Sequence, residues 1–290
     1  MCSGRTMFTF FKAETIEYLQ SSLLGSCDFL IHAFCTRRGG TSRDDYRSLN
    51  MSFAEGDEEY RVLQNWGRLS AAFRIPLDQF LVVNQVHGDS VFVIKPHGPY
   101  FSSRAELNYD AIVTNRTDLA ICVKTADCVP VFVTDKIKKI IAVIHAGRRS
   151  SALNITAKVV RLMQNRYQSE PQDLLAAIGP AIGKCCYEID AAAASPFSKQ
   201  HDSRFFLLPG LKKESRLLNL GEVNRRQLLE CRIPEENIEI SGLCTKCNPD
   251  FFFSHRAAGG VTGRQINFLM IRSEKPCRVL AAEDEPRRIQ

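Results

Sequence analysis

Between residues 80 and 145 the chain strings together six short runs of β-forming residues, and this cadence restricts the fold more than any other feature. The runs are Phe80–Val83, Ser90–Ile94, Ala111–Thr114, Leu119–Val123, Val129–Thr134 and Ile140–Ile144. Each is rich in Val, Ile or Phe and bounded by turn-forming residues, the pattern of strands in a buried sheet. Helical spacing appears on either side. Val62, Leu63, Trp66, Leu69 and Phe73 predict a helix over residues 58–73, ended by Pro76. Further helices are expected over about 152–167 and 221–232, and further strands over 28–36, 174–178 and 238–240. The first of these strands runs into Arg37-Arg38-Gly39-Gly40, whose glycines permit a tight turn and close approach to a ligand. The expected class is α+β: central mixed β-sheets flanked by helices. Residues 28–272 are read as one domain, with an extension over 1–27 and a polar tail over 273–290.

Composition narrows the function classes. A chain of 290 residues with 44% hydrophobic content can bury a substantial core, and no stretch is apolar enough to suggest a membrane span. A formal charge of +6, with basic residues scattered, argues against nucleic acid as a partner. Glu14 and Glu17 stand where a signal peptide would be apolar, so a cytoplasmic location is expected. There the eleven cysteines are expected to be reduced or to ligate metal.

Three turn segments carry the chemistry: Gln85-Val86-His87-Gly88, Ala126-Asp127-Cys128-Val129-Pro130 and His145-Ala146-Gly147-Arg148-Arg149. His87, Cys128 and His145 all fall at predicted strand ends. Two imidazoles and a thiolate suit zinc, with copper as the alternative ion, and three protein ligands leave a tetrahedral ion one open position for chemistry. Asp110 and Asp127 are read as acid/base groups or as orienters of a ligand. Arg37, Arg149 and Arg256 adjoin glycine-rich or ligand-bearing turns, where guanidinium forks can clamp phosphate. His97 and His201 are read as surface residues, while His32 and His255 receive no role. Cys244-x-x-Cys247 invites a zinc-knuckle reading that would need Cys185-Cys186 as the second pair. Adjacent cysteines are an awkward pair for one ion, so these thiols are expected to be packing residues or oxidation targets.

Taken in order, many short segments resemble the YfiH/YlmD-like family, also called the laccase-domain or polyphenol oxidoreductase family. They are Phe34-Cys35-Thr36-Arg37-Arg38-Gly39-Gly40, Ser48-Leu49-Asn50, Gln85-Val86-His87-Gly88, Asp110-Ala111-Ile112-Val113-Thr114, Ala126-Asp127-Cys128-Val129-Pro130-Val131 and His145-Ala146-Gly147. Ile178-Gly179-Pro180, Cys185-Cys186-Tyr187-Glu188, Cys244-Thr245, Phe253-Ser254-His255-Arg256 and Thr262-Gly263-Arg264 complete the set, so the resemblance spans about residues 30–271. Members are described as purine nucleoside phosphorylases with adenosine deaminase activity. The resemblance implies zinc held by His87, Cys128 and His145. It also implies phosphorolysis of adenosine, inosine or guanosine, and deamination of adenosine. Cys128 and Asp127 would be catalytic, with Asp127 moving the proton in deamination, and the arginines would hold phosphate. One departure stands out: the family usually has Trp where this chain has Arg148, and Gly where it has Ser150. The loop is therefore expected to offer substrate a different wall.

Three other readings compete. A copper-dependent, laccase-like oxidoreductase would need many more ligands than six histidines provide. A nucleoside-binding homologue with impaired catalysis would follow if Arg148 filled the pocket. A cysteine hydrolase pairing Cys128 with His145 is weaker, because a metal-bound thiolate is a poor free nucleophile.

Overall fold

The structure, a computed structural model, describes residues 8–95, 107–200 and 202–273. His97, His201 and most of the expected tail lie outside the described residues. In chain order the strands are β1 (Phe8–Ala13), β2 (Ile16–Ser21), β3 (Leu30–Cys35), β4 (Phe80–Val82), β5 (Val91–Ile94), β6 (Ala111–Thr114), β7 (Ala120–Thr125) and β8 (Val129–Asp135). They continue with β9 (Ile140–Ala146), β10 (Leu174–Ile178), β11 (Glu188–Ile189), β12 (Leu207–Pro209), β13 (Arg216–Leu218), β14 (Ile238–Ile240) and β15 (Gln265–Ile271). The α-helices are α1 (Ser22–Gly25), α2 (Glu59–Phe73), α3 (Arg148–Ala152), α4 (Ile155–Tyr167), α5 (Ala191–Ser198) and α6 (Leu220–Glu230).

Two six-stranded mixed sheets stack face to face. The first runs β1-β2-β3-β15-β7-β4, the second β14-β10-β8-β9-β6-β5, and a small third sheet orders β11-β13-β12. The stacking follows from the alternation within the central strands. Phe132, Ile141 and Val143 face the first sheet and meet Phe34, Ile121, Val123 and Leu269 there. Their neighbours Val131, Val133, Ala142 and Ile144 face the other way and are covered by Val159, Val160 and Met163 of α4 and Val223 and Leu228 of α6. On the far side of the first sheet, Phe80, Cys122 and Phe268 pack against Leu69, Trp66 and Phe73 of α2. Both sheets are thus buried on both faces, which is why β8, β9 and β15 read as nearly continuous apolar runs. The rings of Phe34 and Phe132 stack across the sheet interface at 4.1 Å.

Residues 8–27 contribute β1, β2 and α1, and β2 pairs antiparallel with β3, so this segment is woven into the first sheet. The helix expected over about 152–167 is α4, which starts at Ile155, and a separate short helix, α3, precedes it. Asn154 takes a left-handed conformation (φ 60°) that breaks the chain between α3 and α4. The paired glycines approach the chain's own backbone. A Cβ on Gly39 would stand 2.1 Å from the Thr15 carbonyl oxygen, and one on Gly40 would stand 2.0 Å from that of Ser48. Asn65 of α2 holds this turn by accepting from the Thr41 N–H (2.7 Å) and donating to the carbonyls of Ser48 and Asn50. Among the described residues, no helix is long and apolar enough to cross a membrane.

Candidate metal centre and its cavity

Two of the three candidate ligands lie where the chain passes from one sheet to the other. His87 sits between β4 of the first sheet and β5 of the second, and Cys128 joins β7 to β8. His145 occupies the end of β9, directly opposite Pro130 in the β8–β9 pairing. His87 and Asp127 both adopt left-handed backbone conformations (φ 57° and 89°), which turn the chain sharply at these crossings. Three distant parts of the sequence converge there: one ring nitrogen from each histidine and the Cys128 sulfur lie within 4.8 Å of one another.

Asp110 aligns the group. Its buried carboxylate accepts from the backbone N–H of His87 (3.0 Å) and Gly88 (2.6 Å) and meets His145 Nδ1 at 2.8 Å. His145 also donates its backbone N–H to the Asp110 carbonyl (2.7 Å). With Nδ1–H donated to the carboxylate, Nε2 of His145 is left to a ligand, the usual arrangement beside a bound metal. Gln85 fastens the His87 loop to β7: its side chain donates to the Lys124 carbonyl (2.8 Å) and accepts from the Lys124 N–H (2.7 Å). Gly147 makes room for the ligands. A Cβ there would fall 2.8 Å from His87 Nδ1 and 3.1 Å from Cys128 Sγ.

The electrostatics suit a cation. Burial alone would raise the Cys128 thiol, but the charge and hydrogen bond of His145, followed by His87, bring it down to about 6. Burial likewise opposes the His145 imidazolium, yet the Cys128 thiolate and Asp110 raise it to about 9. Burial pushes the Asp110 carboxyl up, and the His145 contact with the two backbone N–H groups outweighs it, leaving the group below its ordinary value. A thiol held this low is a thiolate at neutral pH, the form in which cysteine can ligate metal. The donor set of two imidazoles and one thiolate fits zinc with a position left for water or substrate.

The ligands line a cavity of about 410 Å³, within the roughly 300–1,000 Å³ common for small-molecule sites. Asp127 lines it too, with one carboxylate oxygen accepting from the Thr245 hydroxyl (2.6 Å) and the other from the Arg256 N–H (2.7 Å). Of the three arginines singled out from sequence, Arg256 lines the cavity, its guanidinium 4.9 Å from the Tyr187 ring and donating to the Glu188 carbonyl. Arg37 lies in a separate cleft, where it donates to the carbonyls of Arg47 and Pro249. Arg149 is exposed on α3 and does not line the cavity, whereas its neighbour Arg148 does. His255 also lines it. His32 is a core residue whose Nε2 accepts from the Ser21 N–H (3.1 Å).

Lys124, Tyr187 and Arg264 line the same cavity, and the sequence reading gave them no role. Burial lowers the Lys124 ammonium, against the opposing charge of Glu55, and Arg264 pairs with Glu55 at 2.7 Å. Lys124 carried a usable signal as the lone charge after the apolar run Leu119–Val123. Tyr187 and Arg264 stood inside quoted motifs, with nothing in the sequence to show that they meet.

A family model described as multi-copper polyphenol oxidoreductase laccase matches residues 31–272. The chain is 34% identical over 254 residues to the protein named purine nucleoside phosphorylase YlmD from Geobacillus stearothermophilus, covering 82% of this chain and 89% of that one. It is 30% identical over 244 residues to its namesake in Bacillus subtilis, covering 83% and 88%. The crystal structure of the Bacillus licheniformis hypothetical protein YfiH superposes with a TM-score of 0.83 at 30% identity, over 90% of this chain and 99% of that one.

Proposed function

This chain belongs to the family described as multi-copper polyphenol oxidoreductase laccase, and from that premise we propose that it is a zinc-dependent purine nucleoside phosphorylase that also deaminates adenosine. The observation that carries the reading is the convergence of His87, Cys128 and His145 on a cavity that also holds Lys124, Arg148, Arg256 and Arg264. A metal-ligand triad beside four basic side chains, which outnumber the lining carboxylates Glu55 and Asp127, suits a substrate pair of nucleoside and phosphate. The names of the relatives support the same substrate class.

In phosphorolysis a phosphate oxygen bonds to C1′ of the ribose as the bond from C1′ to the purine nitrogen breaks, the electron pair leaving with the base. Arg256, its guanidinium over the Tyr187 ring, is the group we assign to phosphate, together with Arg148 of the same lining. His87, Cys128 and His145 would hold zinc, which supplies Lewis acidity and so lets water act as a nucleophile near neutral pH. Asp110 keeps His145 in one tautomer. Asp127 lies next to the thiolate and keeps further lone pairs beyond its two hydrogen bonds, so we assign it proton movement in deamination. Arg148 belongs to the phosphate wall in this reading and does not block catalysis.

The test is product analysis on metal-replete protein incubated with inosine, guanosine or adenosine and phosphate. Ribose 1-phosphate and free base are expected, with inosine as the deamination product of adenosine. Cys128→Ala should lose the bound metal and at least about 100-fold in turnover, since a metal contributes several kcal/mol to such a transition state. Full turnover by the metal-free variant would sink the assignment. The copper reading has the family description in its favour, but a multicopper oxidase needs several histidine-rich sites, and the described residues contain one histidine-bearing cluster.

A further inference from the structure

Cys185, Cys186, Cys244 and Cys247, expected from sequence to be separate packing thiols, come together: one sulfur from each lies within 4.8 Å of the other three. The sulfur of Cys247 is 3.5 Å from that of Cys185 and 3.4 Å from that of Cys186. We infer that these four residues bind a single zinc ion in a four-cysteine site separate from the cavity.

The spacing discriminates among what four sulfurs can do. Ligands at about 2.3 Å from a tetrahedral zinc stand about 3.8 Å from one another, close to the separations seen. A disulfide needs sulfurs at about 2.05 Å, and these cysteines are free thiols. An iron–sulfur cluster shares its four thiolates among two or four irons, which spreads the sulfurs more widely than one shared ion does. A sulfur-only tetrahedral set selects zinc among the common divalent ions.

The backbone answers the objection to adjacent cysteines. Cys185 and Cys186 ride a turn over residues 184–186, closed by hydrogen bonds from the N–H groups of Cys186 (3.0 Å) and Tyr187 (3.1 Å) to the Gly183 carbonyl. Both sulfurs thereby reach the same third sulfur. Cys244 and Cys247 ride a second turn, closed by the Asn248 N–H on the Cys244 carbonyl (3.1 Å). The two turns are tied by a bridge between Ala181 and Cys244 and by the Thr245 N–H on the Ala181 carbonyl (3.0 Å).

The surroundings match a thiolate site. The Gly183 N–H donates to the Cys244 sulfur (3.2 Å), the kind of bond that steadies a ligating thiolate. Gly183 also keeps the site clear, since a Cβ there would stand 3.2 Å from Cys185 Sγ. Four thiolates on one Zn²⁺ carry a net double negative charge, and exposed Lys184 and Lys246 sit within the two turns to offset it. The ion would act at a distance on the cavity. Tyr187, next to Cys186, lines that cavity, and Thr245, next to Cys244, holds Asp127.

The experiment is metal analysis by mass spectrometry on the full chain and two variants. The wild type is expected to carry two zinc ions per chain. Cys185→Ser with Cys247→Ser should keep one, and Cys128→Ala with His145→Ala should also keep one, so that failure of either site is seen independently. Cobalt loaded into the second variant should show the intense visible bands of tetrahedral thiolate coordination. In wild-type protein, alkylation of Cys185 and Cys247 should be slow until a chelator removes zinc, a readout that needs no variant to fold. Zinc content unaltered by the Cys185/Cys247 pair of changes, thiols equally reactive with and without chelator, or a disulfide between Cys185 and Cys247 in metal-replete protein would each overturn the inference.

Discussion

Asp110 holds the candidate metal centre together by accepting three hydrogen bonds at one carboxylate, two from the His87 loop and one from the His145 ring. An amide at this position cannot accept at both oxygens. Asp110→Asn should therefore weaken zinc binding at the cavity by about 10–100-fold, measured by competition with a chromophoric chelator. Unchanged affinity would mean that the loops hold the ligands unaided. At this scale the sequence was legible where chemistry is tied to short range. Imidazole and thiol side chains reach only a few ångströms, so the strand ends that carry His87, Cys128 and His145 are what bring the three together. Guanidinium groups were not legible. Arg37 and Arg256 sit beside similar turns, yet packing alone sends the donors of one to carbonyls in another cleft and places the other in the cavity.

The elements follow the same logic. Strands β6 to β9, drawn from both sheets, could be read from their apolar runs because both faces of each sheet are covered there. Strands β1 and β2 were missed: Phe8–Ala13 is mostly half-buried and lacks a clean alternation, and only its pairing with β2, which in turn pairs with β3, places it in the sheet. The break between α3 and α4 rests on one left-handed asparagine, which periodicity cannot detect. Where β9 gives way to α3, Gly147 has an ordinary extended backbone (φ −72°, ψ 177°) that alanine can adopt. The trouble with a methyl group there is its contact with His87 and Cys128. Gly147→Ala should accordingly cost at least about tenfold in metal affinity, equal to about 1.4 kcal/mol, while leaving the melting temperature of the metal-free protein almost unchanged. A large drop in that temperature would instead implicate the backbone.

The molecule as a whole is four layers, helix on sheet on sheet on helix, and its pH response follows from what the inner layers bury. Burial lowers His32 to about 4, and its Nε2 accepts from the Ser21 N–H, so the folded state holds it neutral. Between about pH 4 and 6.5 the unfolded chain binds a proton that the native chain refuses, so stability rises with pH through this window. Acidification across it should cost roughly 3 kcal/mol, and above it His32 has no effect. Urea midpoints followed from pH 7 to pH 4 should fall more steeply for the wild type than for His32→Gln; parallel curves would rule His32 out as the source. A second consequence concerns the crossings at His87 and Cys128. Because both residues sit where the polypeptide leaves one sheet for the other, a cation gripping them works as a rivet through the seam of the sandwich. On the proposed function, catalysis and cohesion would share one fastener, and starving the protein of metal would loosen that end of the fold along with silencing its chemistry.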